Sequence, residues 1–189
     1  MSLWYRGPVP VRPPVPAAEP APSVRHFRAW TDSLYVAGTL ISPDRQDRLS
    51  DILNRREPIT VVDGYVVPIG APRTAEFTQQ EMVLDPFDFD FVLGGPLDER
   101  EAGVRAARRV HKVRYPVLVI GASFEIRGTI HLFPGNPPEF ATYHTGTLFL
   151  PVTNQLVRRL GRIVSGPDSD VVLVNRHAIR EIRQLDTLN

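Results

Sequence analysis

The chain contains a series of short segments in which apolar and polar residues alternate, with turn residues between them. Side chains of a β-strand point alternately to the two faces of a sheet, so a period of about two indicates strands that are buried on one face. Most of these segments are also rich in Val, Ile, Phe and Tyr, which favour strands. The predicted strands are Phe27–Trp30, Leu34–Ile41, Ile59–Ile69, Met82–Leu93, Lys112–Ile120, Phe124–Phe133, Thr147–Val157 and Asp170–Ile182.

Alternation is strictest over Phe87–Phe91, within the fourth predicted strand. Its three phenylalanines would lie on one face and the carboxylates of Asp88 and Asp90 on the other. We therefore expect a half-buried strand here, and we interpret its acidic row as the solvated face.

Two other segments have helical signals. Leu49, Ile52 and Leu53 form an apolar stripe with the spacing of one helix face, which predicts a short helix over residues 44–55. Residues 98–109 begin with acidic side chains and end with arginines, the charge order that a helix dipole favours. A glycine inside the second segment leaves an irregular linker as the alternative.

The chain also repeats itself. Ser33–Leu40 and Ser123–Ile130 share one pattern at an offset of 90 positions: Ser, two variable residues, a β-branched residue, one variable residue, Gly-Thr and an aliphatic residue. A few residues later, Val62–Val66 matches Thr153–Val157 at an offset of 91. The glycines of the first pair lie inside apolar alternation, where they indicate a strong strand bend. The predicted fold class is therefore mainly β: tandem small bent-sheet barrels with one or two short helices.

The N-terminal segment has a different composition, because Met1–Ser23 carries seven of the 19 prolines. Proline at this density prevents helix and ladder formation, so we expect an extended or disordered arm. The alternatives are a solvated tail and an arm that binds a partner through Trp4, Tyr5 and Arg6. The predicted organisation is an arm over 1–24, a first unit over 25–95, a linker or short helix over 96–109 and a second unit over 110–187.

Composition limits the partners and the compartment. The chain has 22 basic and 21 acidic residues and a net charge of +1, so bulk charge does not favour a nucleic acid. It has no cysteine, which excludes disulfides and thiolate chemistry, and no apolar run is long enough to span a membrane. We expect a cytoplasmic protein.

Three blocks of the second half, Phe124–Ile130, Leu148–Asn154 and Val172–Ile179, resemble the Sm-like family, including its bacterial RNA-chaperone branch. That resemblance implies a small bent barrel with an N-terminal helix, RNA binding and ring assembly. Two departures oppose the last two implications, namely the insertion around Pro137 and the insertion over Arg158–Asp168.

In the first half, Arg48–Asn54 followed by a strand ending at Val62–Gly64 is similar to a small bacterial domain family of unknown function. This second resemblance implies a fold and no activity.

A local concentration of positive charge is the main candidate site. The residues predicted to bind a nucleic acid or an acidic partner are Arg105, Arg108, Arg109, Lys112, Arg114, Asn175, Arg176 and His177. The alternative is that the basic run neutralises the acids of Asp85–Asp90 across the contact between the two units.

Signals for catalysis are weak, because phosphate loops, nucleophile elbows and His-Glu-x-x-His helices are all absent from the sequence. His131 and His144 with Glu139 could converge on a metal, but their spacing is more typical of unrelated polar positions. We predict no enzyme activity, no catalytic residue, no metal and no cofactor.

These observations favour a non-catalytic assembly module that contacts a protein partner, or further copies of itself, through exposed strand edges and the arm. The first alternative is an Sm-like RNA-binding protein that uses the basic residues. The second alternative is a metal-dependent hydrolase.

Overall fold

The computed structural model describes residues 23–42, 47–70, 77–94, 112–143, 146–165 and 171–186. These residues form one antiparallel 11-stranded sheet, which confirms the mainly β prediction. The strands are β1 (Ser23–Trp30), β2 (Leu34–Ser42), β3 (Ile59–Pro68), β4 (Phe77–Leu84), β5 (Phe91–Gly94), β6 (Val113–Gly121), β7 (Phe124–Leu132), β8 (Phe149–Arg159), β9 (Arg162–Ile163), β10 (Val171–Asn175) and β11 (Ile179–Gln184).

Helical structure in the described residues is short. The α-helix α1 runs over Leu49–Asn54 and buries Ile52 and Leu53, so it is shorter than the predicted helix over 44–55. Three 3₁₀ helices cover Pro86–Asp88, Pro138–Thr142 and Arg176–Ala178. The predicted linker or helix over 96–109 and residues 1–22 of the predicted arm lie outside the described residues. The last two residues of that arm, Ser23 and Val24, belong to β1 and pair with β2, so the arm was predicted to end too late.

The order of strands across the sheet is β11-β6-β7-β8-β10-β5-β1-β2-β3-β4, with β9 paired to β8. The two halves of the chain meet where β10 pairs with β5, with Val172 opposite Leu93 and Val174 opposite Phe91. We expected two separate closed barrels, whereas the described strands form a single open sheet. The reason is that β5 and β10 satisfy each other's backbone groups at the boundary, so neither half ends there.

Two hydrophobic cores lie in this sheet. One is built mainly from the second half and also takes Trp30, Phe91 and Leu93 from the first. The other is built mainly from the first half and takes Leu148, Phe149 and Leu173 from the second. Because side chains alternate between faces, β5 and β10 contribute to both cores, and both faces of the junction are buried.

Two predicted strands were wrong in the same way. Met82–Leu93 and Asp170–Ile182 are each interrupted by a 3₁₀ helix, so residues 87–90 of the alternating segment do not belong to a strand, and β5 begins only at Phe91. In each case a side chain caps the helix: Asp85 Oδ1 accepts a hydrogen bond from Phe87 N at 2.9 Å, and Asn175 Oδ1 accepts one from His177 N at 3.0 Å. These local side-chain-to-backbone bonds compete with the ladder and prevail.

The bends that were predicted at the repeated glycines are present as irregularities in strand pairing. The register between β2 and β3 shifts around Gly38, and the register between β7 and β8 shifts around Gly128. A Cβ atom on Gly128 would lie 2.5 Å from Val152 Cγ1 and 2.8 Å from Thr153 O, so the backbones approach too closely for a side chain.

We expect Gly128→Ala to lower the free energy of unfolding by about 1–3 kcal/mol, because the carbonyl oxygen of Thr153 cannot move away without distorting β8. Urea denaturation measures this change. The matched control is Gly146→Ala, where the added Cβ meets nothing within 4 Å. Equal stability of the two variants would contradict the close approach at Gly128.

Candidate functional site

The free edges of the sheet are the largest candidate for contact with another molecule. Among the described strands, β4 and β11 at the two ends of the strand order each pair on one side only, as does the two-residue β9 beside β8. On β4, Phe77 and Val83 are 61% and 69% exposed. On β11, Glu181 and Arg183 are exposed and form an ion pair, and the hydrogen bond from Arg183 holds the pKa of Glu181 below its ordinary value. The two edges thus differ, since one is partly apolar and the other is charged.

Asn175 does not lie on the surface, contrary to its predicted role in partner binding. It is 2% exposed, and its Nδ2 donates to Phe87 O at 3.1 Å while its backbone N donates to Asp90 O at 2.9 Å. Its side chain therefore joins the 3₁₀ helix of the second half to that of the first half.

Arg176 is a partly buried cation whose hydrogen bonding is incomplete. Its Nη2 donates to Thr147 Oγ1 at 2.8 Å, whereas its Nε and Nη1 are buried without a partner. Among the residues that the structure describes, no acidic side chain forms an ion pair with it. Burial lowers the pKa of Arg176, so this guanidinium is desolvated without a compensating anion.

The exposed neighbour of Arg176 is His177. The His177 ring lies 6.3 Å from the Phe87 ring, between centroids. An exposed polar ring and a half-exposed aromatic ring therefore lie near each other at the 3₁₀ helix Arg176–Ala178.

The remaining predicted cations lie elsewhere. Lys112 Nζ is 5.5 Å from the centroid of the Phe133 ring, and Arg114 is opposite His131 across β6 and β7. Burial lowers the pKa of His131, and the positive charges of Arg114 and Lys112 lower it further. Arg105, Arg108 and Arg109 lie outside the described residues.

The structure does not bring Arg176 together with Lys112 and Arg114. Ile179, the first residue of β11, pairs with Gly121, the last residue of β6. Arg176 therefore lies beyond the end of β6 that is opposite to the end with Lys112 and Arg114. Among the described residues of the predicted patch, Lys112 and Arg114 therefore lie apart from Arg176.

A polar contact that joins the two halves was missed from the sequence. Arg159, at the end of β8, donates to Thr31 O at 3.0 Å and to Asp32 O at 2.8 Å, in the turn between β1 and β2. Its Nη1 also lies 3.8 Å from Asp90 Oδ2, and its side chain is 3% exposed. Burial raises the pKa of Asp90 and the Arg159 charge opposes that shift, so the acid is a partner of this arginine and not part of a solvated row.

The other candidates for chemistry are dispersed. In the described part of the chain, no group of three or more acidic or histidine side chains could hold a metal ion. His131 Nε2 lies 2.9 Å from Thr153 Oγ1, Glu139 lies in the 3₁₀ helix Pro138–Thr142, and His144 is outside the described residues. The proposed arm contacts Trp4, Tyr5 and Arg6 also lie outside them.

The chain was compared with protein-family models, curated proteins and solved structures, and none of these matches it. No helix in the described part of the chain is long and apolar enough to cross a membrane.

We expect Arg159→Ala to lower the free energy of unfolding by about 3–5 kcal/mol, because it leaves the partly buried Asp90 and two carbonyl oxygens without their partner. The matched control is Arg158, the neighbour of Arg159 on the other face of β8, which is exposed. Arg158→Ala should change the free energy of unfolding by less than about 0.5 kcal/mol. Urea denaturation of both variants decides between the two cases. Similar losses would mean that the contact between the halves does not depend on Arg159.

Proposed function

We propose that this protein is a non-catalytic assembly module that contacts protein partners, or other copies of itself, through the strand edges of its sheet. The observation that carries the proposal is that each of the two outermost strands, β4 and β11, has one edge that pairs with no other described strand. Unpaired backbone N–H and C=O groups along an edge bind a further strand directly. In the same proposal, Trp4, Tyr5 and Arg6 of the N-terminal arm add contacts to the partner.

We further propose that the two halves are versions of one five-stranded unit. Pairing across the first half follows the order β5-β1-β2-β3-β4, and the second half repeats this order as β11-β6-β7-β8-β10. Asp63 and Asn154 occupy matching positions with positive φ of 48° and 49°. Asp85 and Asn175, which are 90 positions apart, cap matching 3₁₀ helices. Together with the matching register shifts around the repeated glycines, these features support duplication of one bent sheet.

The junction inside the chain supports assembly by edges. There, β5 at one end of the first unit pairs with β10 at one end of the second unit. The chain thus already contains one contact between units that is made by edge pairing, and hydrophobic side chains on both faces strengthen it.

The test is the mass of the full chain, measured by light scattering over a range of concentrations. We expect the mean mass to rise above that of the monomer with increasing concentration, because edge pairing is a bimolecular equilibrium. A lysine on an exposed edge position should reduce this rise, since a charged side chain blocks strand addition. A monomer at every concentration that also captures no protein partner would contradict the proposal.

A second candidate function is binding of phosphate groups, as in RNA, and the observation that favours it is Arg176. Among the described residues its Nε and Nη1 have no acceptor, and arginine binds phosphate oxygens with two parallel hydrogen bonds. Both atoms are buried, so in this proposal the Arg176 side chain turns outward to bind the phosphate. His177, the next residue in the chain, and Phe87, whose ring lies 6.3 Å from that of His177 between centroids, offer rings on which a base could stack.

We expect Arg176→Gln to weaken binding of an oligouridylate by about tenfold, because it removes a charge-assisted contact. The control is Arg180→Gln, an exposed arginine on β11. Fluorescence anisotropy at two salt concentrations measures both variants. Binding that is absent, or that both variants weaken equally, would exclude a specific phosphate site at Arg176.

A further inference from the structure

The strand edge of β11 does not repeat the apolar pattern of the internal junction. In the first half, Phe91 of β5 pairs with Trp30 of β1. In the second half, the residue that corresponds to Trp30 is Ile120, 90 positions later, and it pairs with Glu181 of β11. Glu181 therefore takes the place of Phe91. By the same correspondence Arg183 takes the place of Leu93. In the internal junction, Phe91 and Leu93 pack into the core of the neighbouring half.

If β11 paired with β4 of a second copy in the register of the β5–β10 junction, Glu181 and Arg183 would point towards a hydrophobic core. The matching positions on β4 are Met82 and Leu84, which are buried or packed against the core of the first half. Burying two charges against apolar side chains is unfavourable, and inward-pointing charges are a known protection of edge strands. The charged edge of β11 therefore opposes head-to-tail assembly by repetition of the internal junction.

The edge of β4 has the opposite character. Its register with β3 runs without a shift from Leu84 to Phe77, so side chains alternate regularly along the strand. Phe77 and Val83 are separated by an even number of positions and lie on one face, together with Gln79 and Glu81. Both hydrophobic residues are more than half exposed, which leaves the ends of this face without cover.

Antiparallel pairing of β4 with β4 of a second copy covers these residues only in one register. A two-fold axis perpendicular to the sheet keeps each face continuous and requires opposite residues to lie on the same face. If the axis passes through Gln80, Phe77 of each copy lies opposite Val83 of the other copy, and Glu81 of each copy lies opposite Gln79 of the other. An axis at Glu81 would oppose two like charges, and an axis at Gln79 would oppose Phe77 to Glu81.

We propose that two copies of this chain pair through β4 about a two-fold axis at Gln80, and that Glu181 and Arg183 oppose the alternative pairing of β4 with β11. This inference rests on the proposed assembly by strand edges and names the partner of one edge, namely a second copy. Cross-strand apolar pairs of Phe77 and Val83 and continuation of the backbone ladder stabilise the dimer.

The register can be tested by cross-linking the full chain, which contains no cysteine. Directly opposite residues of an antiparallel pair have Cα atoms about 4.5–5.5 Å apart, within reach of a disulfide. We expect Gln80→Cys to form a covalent dimer on mild oxidation, faster than Glu81→Cys. Pairing of β11 with β4 in the register of the internal junction would instead place Ile182 opposite Val83. An equimolar mixture of Val83→Cys and Ile182→Cys chains tests that pairing and should give no mixed dimer.

The contribution of the apolar pairs is measured separately by light scattering. Val83→Lys should raise the dissociation constant of the dimer by about tenfold, since the two-fold axis duplicates each change. Leu160→Lys is the control, because Leu160 is 67% exposed and lies at a turn distant from the edge in sequence and pairing.

The outcomes separate this inference from the proposed function. Cross-linking only in the Val83→Cys and Ile182→Cys mixture would overturn pairing of β4 with itself and would leave assembly by strand edges in place. Monomers in every experiment, with slow cross-linking of Gln80→Cys, would overturn both.

Discussion

The backbone ladder between β10 and β5 is the interaction on which the rest of the structure depends. Without it, each half of the chain would have an additional open edge, and each core would lose side chains that come from the other half. Phe91 and Leu93 extend into one core, and Leu173 extends into the other. Since sheet pairing and burial on both faces occur in the same few residues, separating the halves would expose backbone and apolar surface together.

Two polar contacts fix the geometry of this junction. Arg159 holds the turn between β1 and β2, and Asn175 joins the two 3₁₀ helices that precede the final strand of each half. Both side chains are almost fully buried. Loss of either set of hydrogen bonds would lower the stability of the fold, chiefly because it would leave a buried polar group without a partner. These contacts give the junction an orientation that hydrophobic packing alone does not specify.

Much of the secondary structure could be predicted from the sequence, because alternation of apolar and polar residues directly reflects which face of a strand is buried. The bends at Gly38 and Gly128 were also accessible, since a glycine inside an apolar strand usually marks a bulge or a close approach of two backbones. The breaks at the 3₁₀ helices were missed because Phe87–Phe91 alternates as strictly as a strand, and the cap from Asp85 acts over two residues. A period of two from Val157 places Arg159 on the buried face, but the carbonyl groups of Thr31 and Asp32 that it binds lie over 120 residues away, and only the fold brings them together.

The candidate site was less predictable than the fold, because it depends on which strands become outermost and on how the chain separates charges. Arg176 and Lys112 belong to one predicted patch in the sequence, yet the sheet places them at opposite ends of β6. The exposed Phe77 and Val83 of β4 and the charged pair of β11 can be interpreted as edge features only once the order of the strands is known.

The most direct test of this account is amide hydrogen exchange of the full chain at low and high protein concentration. We expect amides of β5 and β10 to be protected at every concentration and to exchange only by global unfolding, whereas amides of β4 gain protection as the concentration rises. The account would be contradicted if β10 exchanged through a separate opening of lower free energy, or if the protection of β4 did not depend on concentration.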